Sequence, residues 1–83
     1  MIPIGNIKKG GVRMRSMKEI GDFVAKTRKE QGISQLELSQ AADTGRRFIV
    51  ELESGKDTIR SGKLLKVLDT LGIDITLTAP TGV

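Results

Sequence analysis

The sequence predicts an all-α domain of four to five helices that closes with a short C-terminal β-strand. Three observations predict it. Two Ser-x-x-Glu sets, Ser16 with Glu19 and Ser34 with Glu37, read as capping boxes that open helices. Apolar residues recur at helical spacing between punctuating glycines, and Gly32, Gly55 and Gly72 stand where such runs stop. The segment 73–78 alternates apolar and polar residues with the period of a strand.

Taken in order, residues 1–15 hold Pro3, Gly5, Gly10 and Gly11 and are expected to form a flexible basic leader. Residues 16–72 form the folded domain. Its first helix is capped by Ser16, carries Ile20, Phe23, Val24 and Thr27, and ends at Gly32. A short second helix spans residues 35–41, with Ile33 and Leu38 in the two positions of a hydrophobic staple. Ala42-Asp43-Thr44-Gly45 is a tight turn. A third helix runs from Arg46 to about Ser54. Thr58 is the expected cap of a fourth, which reaches Leu71 with Leu64, Leu65, Leu68 and Leu71 on one side. Residues 79–83 are expected to fray.

Composition removes several function classes. The 83 residues include no Cys and no His, so thiolate chemistry, disulfides and the commonest general base and metal ligand are absent. There is no Tyr or Trp, and Phe23 and Phe48 are the only aromatic residues, too few for a base-stacking platform. Asp69 and Asp74 read as surface residues without a third ligand. No enzyme activity, cofactor or metal is expected. No apolar run approaches the roughly 20 residues of a membrane span, and the expectation is a cytoplasmic, nucleoid-associated protein.

The net charge of +4 suggests a nucleic-acid partner, but its placement weakens that argument. Lys8, Lys9, Arg13 and Arg15 lie in the leader, and from Met17 onward ten basic residues face ten acidic ones. Clusters say more than the total: Lys26, Arg28 and Lys29, then the adjacent Arg46 and Arg47.

Two helices joined by a three- or four-residue turn make the helix-turn-helix pattern. At about 100° per residue, Phe48, Ile49 and Leu52 of the third helix share one sector and anchor it. Arg46, Arg47, Val50, Glu51 and Ser54 fall in the opposite sector, free to enter a major groove. An arginine there suits guanine O6 and N7, or else a phosphate. Glu51 either reads cytosine N4 or pairs with Arg47 one turn earlier. Gln35, in the first turn of the second helix, would aim its amide at a phosphate. A lone strand needs a mate, and the same strand of a second copy would supply it, with Ile73, Ile75 and Leu77 facing inward in a homodimer.

The stretch from Arg28 to Gly72 resembles the Cro and lambda-repressor (XRE) type of helix-turn-helix domain. Arg28, Gly32-Ile33-Ser34-Gln35, Leu38, Ala42, Ile49, Leu52-Glu53 and Gly55 carry the resemblance. The segment from Gly45 to Lys56, followed by that from Leu65 to Ile73, is similar to HipB-like antitoxins, the DNA-binding partners of HipA-like kinase toxins. The resemblance implies a lambda-repressor-like domain whose Ser34 and Gln35 touch phosphate. It implies that Arg46, Arg47, Val50 and Glu51 face base edges, with Thr44 and Gly45 beside them, and that Lys56 reaches the DNA backbone. Arg28 and Glu53 would form a structural salt bridge. It further implies dimers on an inverted-repeat operator and an autoregulating antitoxin. The turn departs from the family pattern, with Asp43 where Gly is usual and Gly45 where Ser is usual, so the third helix could start one residue away. A stand-alone regulator without a toxin, and an interaction module that binds no DNA, are the competing readings.

Overall fold

The computed structural model describes residues 13–80, and four helices lie among them. They are α1 (Met17–Glu30), α2 (Gln35–Ala41), α3 (Arg46–Ser54) and α4 (Ser61–Leu71). This is the all-α helix-turn-helix architecture that the sequence predicts. Residues 1–12 and 81–83, with most of the expected basic leader, lie outside the described residues.

Both predicted caps form, in different ways. The Ser34 box is complete: Glu37 N–H donates to Ser34 Oγ at 3.0 Å, and Ser34 N–H donates to Glu37 Oε1 at 2.8 Å. At α1, Glu19 N–H donates to Ser16 Oγ at 3.2 Å, but the Glu19 carboxylate accepts from the Arg15 N–H at 2.6 Å and from the Ser16 hydroxyl at 3.5 Å, not from the Ser16 N–H. Gly32, Gly55 and Gly72 all adopt positive φ after the helices they end.

The turn between α2 and α3 is closed by Thr44 N–H donating to the Ser39 carbonyl at 2.8 Å. Asp43 takes a left-handed φ of 58°, the one described non-glycine residue to do so. The third helix begins at Arg46, with Gly45 as an N-cap that offers no side-chain hydrogen bond.

Val24, Leu38, Ala42, Ile49, Leu52, Val67, Leu68 and Leu71 form one buried cluster to which every helix contributes. Met17, Ile20, Ile33, Phe48, Ile59, Leu64 and Ile73 pack around it. The α1–α3 crossing is close because Gly21 is buried and brings no side chain to it. Two buried polar groups are satisfied: Ser39 Oγ donates to the Leu36 carbonyl at 2.7 Å, and Arg28 is paired as described below.

Two expectations are corrected. The fourth helix starts at Ser61 after an extended Arg60, not after Thr58, because Ile59 drops onto the core in between. Leu65 is 55% exposed while Val67 is fully buried, so the buried stripe of α4 is rotated from the one expected. Residues 73–78 form no strand in the single chain, and the pairing expected for them is with a second copy. Ile73 instead packs on its own core, its N–H donating to the Leu68 carbonyl at 2.8 Å, whereas Ile75 and Leu77 are exposed.

Candidate nucleic-acid interface

The third helix presents two faces, and the side chains segregate as its periodicity requires. Ile49 and Leu52 are fully buried, and Phe48 is half-buried with Lys63 Nζ 5.8 Å from its ring centroid. Arg46, Arg47, Val50 and Ser54 are exposed, and Glu51 is half-exposed. Both guanidiniums at the start of the helix therefore point to solvent, and the phenyl ring tucks beneath.

An ion pair between α1 and α3 holds this face in place. Arg28 Nε donates to Glu53 Oε2 at 2.7 Å and Nη2 donates to Oε1 at 3.0 Å, with side chains only 10% and 8% exposed. Its remaining nitrogen, Nη1, donates to the Ile33 carbonyl at 2.9 Å, tying down the loop into α2. The hydrogen bond to Glu53 raises the Arg28 pKa above its ordinary value, against the opposing effect of burial. The structural salt bridge implied by the resemblance is thus present as a bidentate fork.

In the free chain the Gln35 amide nitrogen donates to Glu53 Oε1 at 3.1 Å, so the side chain is turned toward the ion pair. What the start of α2 still offers an anion is the Ser34 hydroxyl proton and the first-turn N–H groups of Gln35 and Leu36, which have no intrahelical acceptor. Ser34, Gln35, Leu36 and Arg46 line a shallow groove between the starts of α2 and α3, with Arg28 at its floor. Thr44 and Gly45 stand at the turn beside it; the Thr44 hydroxyl donates to the Gly45 carbonyl at 3.3 Å.

The two arginines differ electrostatically. Arg47 Nε donates to Glu51 Oε2 at 3.2 Å, and Lys56 Nζ lies 3.3 Å from the same oxygen. Of the two readings left open for Glu51, the isolated chain adopts the pairing with Arg47. The Arg47 hydrogen bond first, and Lys56 second, hold the Glu51 carboxyl below the usual carboxylate range. Arg46 has no ionic partner among the described residues. The lysine contact escaped sequence reasoning because Lys56 lies beyond the helix; the signal was the left-handed Gly55 that turns it back.

A helix-turn-helix family model matches residues 24–77, which is most of the folded part. The chain belongs to the XRE-type helix-turn-helix family. The uncharacterized HTH-type transcriptional regulator y4mF of Sinorhizobium fredii is 48% identical to this helix-turn-helix protein over 68 residues, 82% of this chain and 90% of the regulator. Among solved structures, a chain of the HipA-HipB-O2-O3 complex matches with a TM-score of 0.77 at 20% identity, covering 83% of this chain and 97% of that one. The restriction-modification controller protein C.AhdI from Aeromonas hydrophila matches with a TM-score of 0.63 at 22% identity, covering 70% of this chain and 84% of its own. At these identities the structural likeness is one of fold. Family and relative together make the chain a DNA-binding helix-turn-helix transcriptional regulator. Among the described residues no helix is long and apolar enough to cross a membrane, and no group of acidic residues is arranged to hold a metal.

Proposed function

We propose that this regulator is a dimeric repressor that binds an inverted-repeat operator near its own promoter and serves as the antitoxin of a HipA-like kinase toxin. One observation carries the DNA-reading half. Arg46 stands exposed, and without an acidic partner among the described residues, at the first turn of a helix whose opposite side is sealed by Ile49 and Leu52. In the major groove its planar fork would take guanine O6 and N7, and Val50 beside it would pack on a thymine methyl. Arg47 and Glu51 would reach neighbouring base edges. Ser34, the first-turn N–H groups at Gln35, and the Thr44-Gly45 turn would sit on phosphates at one side of the groove, and Lys56 at the other.

The dimer would form through residues 73–78, where exposed Ile75 and Leu77 await an antiparallel mate. Two recognition helices about 34 Å apart would then read two half-sites, each raising the effective concentration of the other. The likeness to the HipB chain of a HipA-HipB-O2-O3 complex supports the toxin partner. The 48% identical relative bears the name of a transcriptional regulator alone, which favours a second reading, a regulator without a toxin.

Gel shifts with the DNA upstream of the reading frame test the first half. Arg46→Ala is expected to lose about 1–3 kcal/mol of operator affinity; unchanged affinity would remove Arg46 from the base-reading set. Sedimentation of Ile75→Asp tests the dimer, which should dissociate. A kinase that co-purifies with the native protein decides between the two partner readings.

A further inference from the structure

Glu51 stands within the face assigned to DNA, yet its carboxylate is aimed at cations of its own chain. Arg47 Nε and Lys56 Nζ share its Oε2 at 3.2 and 3.3 Å. The backbone enforces the second contact. Gly55 turns left-handed at a φ of 86°, and Lys56 N–H then donates to the Glu51 carbonyl at 3.1 Å. Ser54 Oγ donates to the same carbonyl at 2.8 Å. A side chain at Gly55 would stand 2.9 Å from Lys18 Cα, so packing against α1 also keeps this turn. Glu51 is 29% exposed and Arg47 is 89% exposed, so the cluster lies open to an approaching duplex.

We infer that Glu51 is a specificity-determining residue that acts through Arg47 and Lys56, holding both back from phosphates unless a matching base pair repays their release. Non-specific affinity comes from cations that neutralise phosphates and release counterions, with each contact steepening the salt dependence by about 0.9. With Glu51 ionised, the three groups carry one net positive charge where two cations stand, and both cations are tethered. A random duplex offers phosphates in place of a carboxylate, a poor exchange. A guanine beside a cytosine offers more: O6 and N7 acceptors for Arg47, and an N4 donor for Glu51. Among the described residues the neighbouring Arg46 carries no such restraint and stays available for encounter. The inference rests on the DNA-binding face proposed above.

The test titrates the full chain and its Glu51→Gln variant with the upstream duplex and with a scrambled duplex of equal length, at several salt concentrations. Glu51→Gln is expected to bind the scrambled duplex about three- to tenfold tighter, with a salt slope steeper by about one. The upstream duplex should gain less, so the ratio between the two narrows. In an Arg47→Ala, Lys56→Ala background the same substitution should change neither slope nor ratio. A scrambled-duplex slope that stays the same or becomes shallower, in a variant whose thermal midpoint shows it folded, overturns the inference. So does an effect that persists without Arg47 and Lys56. Glu51→Ala replaces Glu51→Gln if the latter loses its helical circular dichroism. A wild-type chain that binds neither duplex, or both alike, overturns the DNA-reading proposal itself; a wild type that discriminates beside an unaltered variant overturns only the role of Glu51.

Discussion

Gly21 of α1 lies flush against the carbonyl oxygen of Leu52 in α3. A Cβ at position 21 would collide with that oxygen and would stand 3.2 Å from the Glu53 carbonyl as well. Both obstacles are backbone of the recognition helix, which cannot swing aside as a side chain can. On an isolated helix Gly21→Ala would gain about 1 kcal/mol of propensity. Here the two helices must separate, and overpacking of this kind costs about 1–3 kcal/mol, so the variant should be net destabilised. Urea unfolding followed by circular dichroism measures it, and a stabilised variant would mean that the helices part at no cost.

The Arg28–Glu53 fork is expected to behave as a buried pair. Arg28→Ala leaves Glu53 charged in a site where it is 8% exposed, and also frees the Ile33 carbonyl. Loss of one partner of such a pair costs about 3–5 kcal/mol, a large share of the stability of a small domain. Arg28→Met combined with Glu53→Leu removes both charges and should recover much of that loss. The recovery stays incomplete, because Gln35 then has no acceptor for its amide and Ile33 no donor. Chemical denaturation of the two single variants and the double variant checks the ordering.

What the sequence discloses here is what depends on neighbours along the chain. The Ser34–Glu37 box needs residues three apart and forms as read; so do the glycine stops and the inward set Ile49 and Leu52 on α3. What it hides depends on residues far apart. Gln35 has a free-looking amide until Glu53, 18 positions on, accepts from it. Thr58 carries a good capping side chain, yet Ile59 has a core to reach and the helix waits until Ser61. On α4 five apolar residues crowd about two turns, and only packing decides that Val67 is buried and Leu65 is not. Residues 73–78 have strand alternation, but a ladder requires a second strand, and none forms among the described residues of the single chain. Gly21 gives no local sign of its purpose, since the atom it accommodates belongs to another helix.

Two substitutions in the turn between α2 and α3 should stabilise the fold, one by relieving strain and one by adding a cap. Asp43 holds a φ of 58°, a left-handed conformation that costs an ordinary residue about 1–2 kcal/mol. Glycine escapes that cost but loses about 0.5–1 kcal/mol of chain entropy on folding, so Asp43→Gly should stabilise the fold by up to about 1 kcal/mol. Gly45 is an extended N-cap with open space where a Cβ would go. Gly45→Ser supplies a hydroxyl to the orphan N–H groups of α3 and should add a few tenths of a kcal/mol. Thermal unfolding of each variant and of the pair measures both gains, which should be nearly additive unless the turn rearranges.

Glu51 makes the DNA-facing surface insensitive to mild acid. Arg47, by its hydrogen bond, and then Lys56 hold its carboxyl below the usual carboxylate range. A carboxylate lowered in this way keeps its pairing complete above the ordinary value and loses it only as pH falls through the lowered one. The chain has no His, so no imidazole changes charge between about pH 5.5 and 7. The slope of log affinity against log salt, measured with one duplex, should therefore stay constant across that interval. It should steepen only in stronger acid, where protonated Glu51 lets Arg47 and Lys56 go. A slope that changes between about pH 6 and 7 would require Glu51 to titrate above the ordinary carboxylate range, the opposite of what two cations on one oxygen produce.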